Sequence, residues 1–542
     1  MHWRFENKKK DGTMRKLSTA ILLFAAHLAF ADATKLDVSI NPEKTFQTID
    51  NFTAADAWSG NFAGQYFAAP QKEQIAKWLF SQKLGADGNP EGIGLSMWRF
   101  NIGGGTLEQN GANIQPYQRR AESFLTKDGK NYDWGKCSGQ IYFAKKAKQY
   151  GCGKLLLFSN TPPVQWTRNG QGYGEKGDNS ANLKQDCYGK FADYMADVAK
   201  HFGEIGLTVN YISPINEPQV NWDSNRQEGS PWLCSEMKKL LVELDRALSE
   251  RNLETMIYFG EAGHPKYNFT ENAYGVPNKR WKKDPPDEHP NLIIKKFFDP
   301  KSKFYVGDLK HMPKFLCGHS YHSHCKNAEM QQVHKSIAAE AKKYGIGYHQ
   351  SEWCMLPHFK AKDMDGFTPD WFSDNRADMQ VALAMARIIY SDFTNANALS
   401  WGYWKAMEVN GDHALIGLYP KDGRLENGGT VRANKILWAL GNYSLFVRPE
   451  YKRIDLKGAD DLNKTAATAF ASPDGNKIVA VFVNSSFECD TAKISLPEKY
   501  ADSKVKAFRT DTNSDLANMR VCENTREFVI DPRSITTILF EL

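Results

Sequence analysis

The chain carries little net charge for its 542 residues and lacks a long basic run beyond its N-terminus. Its formal net charge is only +6, whereas nucleic-acid-binding domains concentrate Lys and Arg on one face. After residue 33 it also lacks an apolar run of the roughly 18 residues that a membrane-spanning helix requires. We therefore expect neither a nucleic-acid partner nor a membrane span.

A short apolar stretch at the N-terminus has the pattern of a signal peptide. Basic residues from Lys8 to Lys16 precede the apolar segment 19–30, and Ala29-Phe30-Ala31 fits an A-x-A cleavage site. This segment is too short to cross a bilayer comfortably. The pattern predicts a signal peptide over residues 1–33 and a secreted mature protein, either periplasmic or extracellular.

The chain has nine cysteines, an odd number, so at least one thiol is free or pairs between molecules. An exported protein can pair some of the others, but sequence does not reveal which. Cys489 and Cys522 lie in one predicted domain, and we consider them a candidate pair.

The length exceeds one ordinary core and suits a barrel with a smaller second domain. From residue 49 to residue 448, short apolar segments alternate with amphipathic ones, which is typical of strand-then-helix units. The predicted strands span residues 49–58, 95–101, 154–160, 209–215, 256–261, 315–320, 347–352 and 398–404. Predicted helices include residues 71–82, 183–202, 236–251, 328–344 and 376–393. Eight units predict an α/β fold, the (β/α)8 TIM barrel.

An open, doubly wound sheet would show a similar alternation of strands and helices. Its nucleotide-binding members carry G-x-G-x-x-G after the first strand, and Gly103-Gly104-Gly105-Thr106 lacks that spacing. We therefore prefer the barrel.

The pattern changes at about residue 449, where short alternating runs separated by turn formers begin. They predict an antiparallel β-sandwich over residues 449–542. Its predicted strands span residues 466–471, 477–483, 492–496, 505–510, 527–530 and 535–541. Residues 34–48 contain another alternating strand, which we expect to join the sandwich.

Two glutamates close the predicted fourth and seventh barrel strands. Asn216 and Glu217 follow an apolar run, and Pro218 cannot donate a ladder hydrogen bond, so the strand ends there. Glu352 closes the seventh strand. Such strand ends surround one mouth, where barrel enzymes carry out their chemistry. One strand-end Glu can equally cap a helix or pair with an Arg, but two facing carboxylates favour glycosidic bond cleavage.

Other strand ends add polar and aromatic side chains to this mouth. They are Arg99, Asn101, Asn160, Trp166, His319, Tyr321 and Trp404, with Trp222 following the fourth strand. The chemistry needs neither a metal nor an organic cofactor. His319, His322, His324 and Cys325 form an alternative metal cluster. We disfavour it because His319 and His322 point to opposite faces of an alternating strand.

These motifs resemble a retaining clan A glycoside hydrolase of family 30, and the resemblance covers residues 36–542. The motifs that carry it are Asn216-Glu217-Pro218, Ser351-Glu352, Trp98-Arg99-Phe100-Asn101, Asn160-Thr161-Pro162-Pro163 and Asn442-Tyr443-Ser444. Within the family, the chain is most similar to endo-β-1,6-galactanases. Residues 97–105, Gln219, Trp222 and residues 227–232 carry that narrower similarity.

The resemblance implies a role for each matched residue. Glu217 would be the acid/base and Glu352 the nucleophile, which the positive charge of Arg99 would hold ionised. Binding roles would fall to Asn216 at the sugar 2-hydroxyl, His319 and Tyr321 at the nucleophile or the sugar, and Trp404 beneath the cleaved sugar. Residues 51–56 are less Gly-rich than the family pattern, which argues against ligand contacts by Asp56 and Trp58.

Several alternatives stay open beside an endo-β-1,6-galactanase. A hydrolase of the same family could act on β-1,6-glucan, xylan or a glucosylceramide-type substrate. A non-catalytic carbohydrate-binding protein is the alternative from another class. Glu228 and Glu261 are extra carboxylates near the mouth, and we expect structural pairing or substrate binding from them rather than catalysis. We expect a monomer.

Overall fold

The structure is a computed structural model that describes residues 34–109, 113–273, 279–356, 364–366, 377–411, 413–522 and 524–542. The predicted signal peptide, residues 1–33, lies outside the described residues. Every helix in the described part of the chain is too short or too polar to cross a membrane.

The described residues contain twenty β-strands. They are β1 Thr34–Thr48, β2 Asn51–Ala55, β3 Met97–Asn101, β4 Lys154–Phe158, β5 Tyr211–Ser213, β6 Met256–Ile257, β7 Phe315–His319, β8 Gly347–Glu352, β9 Ser400–Lys405, β10 Met407–Val409, β11 Ile416–Pro420, β12 Gly429–Ala433, β13 Lys452–Lys457, β14 Thr465–Ala471, β15 Lys477–Asn484, β16 Asp490–Ser495, β17 Lys504–Thr510, β18 Ala517–Asn518, β19 Glu527–Ile530 and β20 Ser534–Glu541.

The same residues contain nine α-helices. They are α1 Ser59–Tyr66, α2 Ala69–Phe80, α3 Ser138–Gln149, α4 Tyr188–Glu204, α5 Cys234–Glu250, α6 Ile293–Phe298, α7 Asn327–Lys343, α8 Ala377–Thr394 and α9 Lys435–Ser444. Each of the five predicted helices overlaps an observed one.

Strands β2 to β9 are parallel and correspond to the eight predicted strands. Six form one sheet in the order β6-β5-β4-β3-β2-β9, and β7 pairs with β8. Two isolated parallel bridges, Ala262 with Gly318 and Tyr348 with Ala398, link the two sheets at both ends. The carboxyl ends of all eight strands therefore lie along one continuous series of neighbours.

Strand β6, which corresponds to the fifth predicted barrel strand, is shorter than predicted, since only Met256 and Ile257 are regular. Its continuation still bonds to neighbours, because Tyr258 N donates to Ile212 O and Glu261 N donates to Cys317 O. Gly260 and Glu261 have φ of 127° and 45°, outside the β region. The strand is therefore irregular at Gly260 and Glu261, although the chain stays bonded to β7 as far as Ala262.

Strands β1 and β13 to β20 form one nine-stranded sheet in the order β18-β17-β20-β15-β14-β13-β1-β16-β19. The predicted antiparallel arrangement is present within residues 449–542, whereas the joining strand β1 runs parallel to β16. No short turn joins these two strands, so their connection does not impose the antiparallel direction of a hairpin. The remaining pairs in this sheet are antiparallel.

This sheet is curled into two facing layers. Phe528 of β19 and Phe540 of β20 have ring centroids 6.3 Å apart, although six strand spacings, about 29 Å in a flat sheet, separate the two strands. Their side chains share one core cluster with Val38 and Ile494. The two layers thus come from one sheet rather than from two.

The candidate disulfide between Cys489 and Cys522 is wrong. All nine cysteines lie in the described residues, and none is in a disulfide. The antiparallel register pairs Asp490 with Ile530 and Lys493 with Glu527. Cys489 therefore lies beyond one end of the β16–β19 pair, whereas Cys522 precedes β19 at the other end.

Candidate active site

Glu217 lies in the loop that follows β5 and has an unusual backbone conformation. Its φ is 43°, which is uncommon for any residue other than glycine and is typical of functional sites. Two hydrogen bonds hold it there: its N–H donates to Glu261 O at 3.0 Å, and Trp222 Nε1 donates to its carbonyl at 3.2 Å. The conformation directs the Glu217 carboxylate toward β7.

The carboxylates of Glu217 and Glu352 meet around His319. Nδ1 of His319 lies 3.0 Å from Glu217 Oε1 and 3.5 Å from Glu352 Oε1. One oxygen of each carboxylate and the ring nitrogen all lie within 4.8 Å of one another. Carboxyl groups about 5–5.5 Å apart suit retention in glycosidases, and about 6.5–9.5 Å suits inversion. The nearest oxygens of Glu217 and Glu352 lie within 4.8 Å of each other, a close approach that is compatible with the shorter, retaining spacing.

Arg99 and Glu261 form the layer beneath these carboxylates. Arg99 Nη1 donates to Glu352 Oε2, and Nη2 donates to Glu261 Oε1 at 3.3 Å. His319 Nε2 lies 3.1 Å from Glu261 Oε2. Both Arg99 and Glu261 are fully buried, so the site is a closed network of three carboxylates and two basic side chains.

The charges of this network decide its protonation. Burial lowers the pKa of His319, but Glu352, Glu217 and Glu261 outweigh burial and raise it to about 10. Burial raises the pKa of Glu261, but Arg99 and His319 bring it down to about 2. Both shifts favour the protonated form of His319, in which each ring nitrogen carries an N–H. A protonated imidazole has no nitrogen lone pair with which to bind a metal ion, although Glu217, His319 and Glu352 are spaced closely enough to hold one.

The Glu352 carboxylate accepts two hydrogen bonds, one from Arg99 and one from Tyr321. Tyr321 OH donates to its Oε1 at 3.0 Å, and burial keeps the pKa of that phenol well above its usual value. Burial raises the pKa of Glu352, while the positive charges of His319 and Arg99 oppose this rise. Arg99 thus acts in the predicted direction, toward the ionised carboxylate.

A cleft of about 250 Å³ opens above the network. Six predicted site residues line it: Asn216, Glu217, Trp222, Tyr321, Glu352 and Trp404. Trp404 contacts Trp58 edge-on with centroids 5.4 Å apart, and Arg99 lies 5.6 Å from a Trp404 ring centroid. Arg99 and His319 lie beneath the cleft and are fully buried.

The structure does not bring three other predicted residues to the cleft lining. Asn101 is buried, with its N–H bonded to the buried Asp56 carboxylate at 2.8 Å. Trp166 is half-buried and packs edge-on against Tyr194 at 5.9 Å. Asn160 is buried, and both polar atoms of its side chain lack a hydrogen-bond partner among the described residues. Substrate contacts by these three residues stay a prediction.

Sequence reasoning missed two cleft residues, His264 and Tyr267. Gln219, Gln227 and His322, which the sequence analysis named without predicting a place in the site, also line the cleft. His264 and Tyr267 closely follow the fifth predicted strand, residues 256–261, so the strand-end rule that selected Glu217 would have found them. The alternative metal cluster does not form, because His319 lies among carboxylates while His322 stacks on His264 at 4.5 Å.

Glu228 connects loops rather than reaching the catalytic network. It is fully buried and accepts from Gly104 N at 3.1 Å and Thr106 Oγ1 at 2.6 Å. Burial raises its pKa to about 7 despite these bonds. A Cβ atom at Gly104 would lie only 2.5 Å from Thr161 Cγ2. Glycine at this position of the segment 103–105 therefore allows the two loops to pack closely.

Comparison with known proteins places these features in context. The model of O-glycosyl hydrolase family 30 matches residues 35–416. An endo-β-1,6-galactanase from Hypocrea rufa is 25% identical over 282 residues, which are 49% of this chain and 54% of that protein. An exo-β-1,6-galactobiohydrolase from Bifidobacterium longum is 22% identical over 392 residues, which are 64% of this chain and 24% of that protein. The chain thus spans about half or less of these curated relatives.

Solved structures extend the likeness to nearly the whole chain. A conserved exported protein from Bacteroides fragilis is 30% identical with a TM-score of 0.84, covering 93% of this chain and 100% of that one. The catalytic domain of the xylanase C from Talaromyces cellulolyticus has a TM-score of 0.62 at 19% identity, with the same coverage of both chains. At that identity the second likeness concerns the fold alone.

Proposed function

The chain belongs to O-glycosyl hydrolase family 30, and from this we propose that it is a secreted, retaining glycoside hydrolase that cleaves β-1,6-galactan in endo fashion. The observation that carries the proposal is the pair of carboxylates, Glu217 and Glu352, held within 4.8 Å around His319. Facing carboxylates at this spacing suit double displacement.

In the first step, the Glu217 carboxyl gives its proton to the glycosidic oxygen as the bond to the anomeric carbon breaks. The Glu352 carboxylate attacks that carbon from the opposite face, forming a glycosyl ester and releasing the leaving sugar as an alcohol. The cleft exposes Glu217 more than Glu352, with side-chain exposures of 13% and 4%. This difference fits a proton donor on the leaving-group side.

In the second step, water enters the place of the leaving sugar. Glu217, now ionised, takes a proton from that water, and the resulting hydroxide oxygen bonds to the anomeric carbon. The ester bond to Glu352 breaks, and both carboxyl groups return to their starting states. Two inversions at one carbon give net retention.

The surrounding residues support these steps. Arg99 and Tyr321 contact Glu352 and stabilise its negative charge. Asn216 lines the cleft beside Glu217, and its Oδ1 has no partner among the described residues, which suits a bond to a sugar hydroxyl. Trp404 offers an aromatic wall for a sugar ring.

We also propose the (β/α)8 barrel as the catalytic domain, over residues 49–448. Support comes from the series of eight parallel strands, which two bridges connect at both ends. Residues 449–542 and the strand 34–48 would form the companion β-sandwich, in which β1 pairs with β13 and β16. Export is supported by the signal-peptide pattern and by the likeness to an exported protein.

The galactan specificity is supported by the names of the two curated relatives and by the motif around Gln219, which lines the cleft. Hydrolysis of debranched β-1,6-galactan, with β-1,6-glucan and xylan alongside, tests it through product size. A ladder of short galacto-oligosaccharides is expected. Galactose alone from the start would contradict endo action, and cleavage of only glucan or xylan would overturn the specificity.

Two variants test the catalytic assignment separately from the specificity. Glu352→Gln should abolish hydrolysis, and wild-type turnover in this variant would show the nucleophile assignment to be wrong. Glu352→Gly should regain activity with azide, which replaces the missing carboxylate. A carbohydrate-binding protein without catalysis would retain ligand in both variants and hydrolyse nothing even as wild type.

A further inference from the structure

Glu261 is a fully buried carboxylate outside the cleft lining. Its Oε1 accepts from Arg99 Nη2 at 3.3 Å and from Ser213 Oγ at 3.1 Å. Its Oε2 lies 3.1 Å from His319 Nε2 and accepts from Ser351 Oγ. Glu261 does not line the cleft, so its effect on the reaction passes through the groups that it contacts, of which Arg99 and His319 are the two charged ones.

His319 faces a carboxylate with each ring nitrogen. Nδ1 lies against Glu217 and Glu352, and Nε2 lies against Glu261. A neutral imidazole has one N–H and would turn a lone pair toward one of these anions. Arg99 bonds two of the same carboxylates. The ring of Tyr321, a neutral phenol, lies 5.6 Å away.

We propose that Glu261 is a positioning residue that holds His319 as a permanent imidazolium between the two catalytic carboxylates. The inference rests on the proposed function, but the protonation of the ring can be measured without substrate. A permanent imidazolium does not shuttle protons. It gives Glu217 and Glu352 a constant positive charge and one shared N–H donor.

The charge balance explains why a third carboxylate is useful. Arg99 and His319 bring two positive charges against three carboxylates, so the fully ionised network would carry one excess negative charge. A buried site lowers that charge by keeping one proton. Glu261 contacts both cations and stays ionised, so the proton remains with Glu217 and Glu352. A retaining hydrolase requires one proton on this pair.

Replacing Glu261 by Gln removes one negative charge and keeps the size of the side chain. The remaining groups then bind protons less tightly, so both limbs of the pH profile of kcat/KM should move to lower pH by about one unit or more. Between the shifted basic limb and the wild-type one, the activity of the variant should fall about tenfold per pH unit relative to wild type. Glu261→Asp keeps the charge and should restore the limbs toward their wild-type positions.

Glu228→Gln is the matched control. Glu228 is also a fully buried glutamate near the mouth, but it accepts hydrogen bonds from the Gly104 N–H and the Thr106 hydroxyl rather than from cations. Its replacement should leave both limbs of the pH profile where they are. An equal shift in Glu228→Gln, or no shift in Glu261→Gln, would overturn the proposal.

NMR of ¹⁵N-histidine-labelled protein tests the proposal directly. The His319 signals, identified by their absence in His319→Gln, should report an imidazolium throughout pH 5.5–8.5 in the wild type. A neutral His319 ring at pH 8 in the wild type would overturn the proposal even if the Glu261 variants fail to fold. If no glycan is hydrolysed, the proposed function fails while this measurement still decides the state of the ring.

Discussion

Replacement of Arg99 by Gln should raise the pKa of Glu352 and move the acidic limb of kcat/KM to higher pH. Arg99 contacts both Glu352 and Glu261 in a fully buried setting. A positive charge at this range lowers a carboxyl pKa by about 1–3 units. Glu352 must be ionised to attack, so its activity is present above its pKa and lost below it. Losing the cation therefore shifts the limb upward by about 1–3 pH units.

The assay is the pH dependence of kcat/KM on a soluble β-1,6-galacto-oligosaccharide. At a fixed pH on the acidic side, kcat/KM should fall about tenfold for every pH unit by which the limb moves upward. Folding must be checked by thermal melting, since breaking a buried ion pair typically costs about 3–5 kcal/mol. An acidic limb in folded Arg99→Gln that coincides with the wild-type limb would refute the reasoning.

Arg387→Gln provides the matched control for loss of a buried guanidinium. Arg387 is 2% exposed and bonds Asn327 and the Asp365 carbonyl, away from the cleft lining. It should lose stability while its pH profile stays unchanged. If the acidic limb moved in this variant as well, its position would depend on the stability of the whole protein rather than on the charge of Arg99.

Three further predictions concern stability and binding. Burial raises the pKa of Glu228 to about 7, so ionisation of this carboxyl should lower the free energy of unfolding by up to about 3 kcal/mol as pH rises from about 4.5 to 7. The melting temperature of Glu228→Gln should depend less on pH than that of the wild type, and an equal dependence would contradict this. Phe528→Ala should cost about 3–5 kcal/mol because its ring packs across the curled sheet, whereas a loss below about 1 kcal/mol in denaturant unfolding would contradict two facing layers. Trp404→Phe should lower kcat/KM about 2- to 10-fold, and unchanged kinetics would exclude Trp404 as a sugar wall.

The strand ends could be predicted from sequence because periodicity and proline placement are local signals. The apolar run before Asn216 correctly placed Glu217 shortly after a barrel strand, although β5 already ends at Ser213 rather than next to Pro218, and Glu352 ends β8. Parallel pairing then brings strand ends to one side whatever the loops do. This is why Glu217, Glu352, Arg99 and their neighbours converge as expected.

The contacts of Glu261 could not be predicted in the same way. They depend on the positive φ angles of Glu217 and Glu261, which glutamate at these positions does not predict. They also depend on the distances between the strands β5, β6 and β7 in space. The failed pairing of Cys489 with Cys522 has a similar cause. Cys489 precedes β16 and Cys522 precedes β19 in the same sheet, but only the register of β16 on β19 reveals that they are at opposite ends of this pair.

The most direct test of the central claim is the configuration of the first product. Proton NMR during early hydrolysis of β-1,6-galactan follows the anomeric signal of each new reducing end before mutarotation. Double displacement through Glu352, with Glu217 as acid/base, predicts that the β-anomer appears first and the α-anomer follows as it equilibrates. Initial appearance of the α-anomer would mean inversion and would contradict the account.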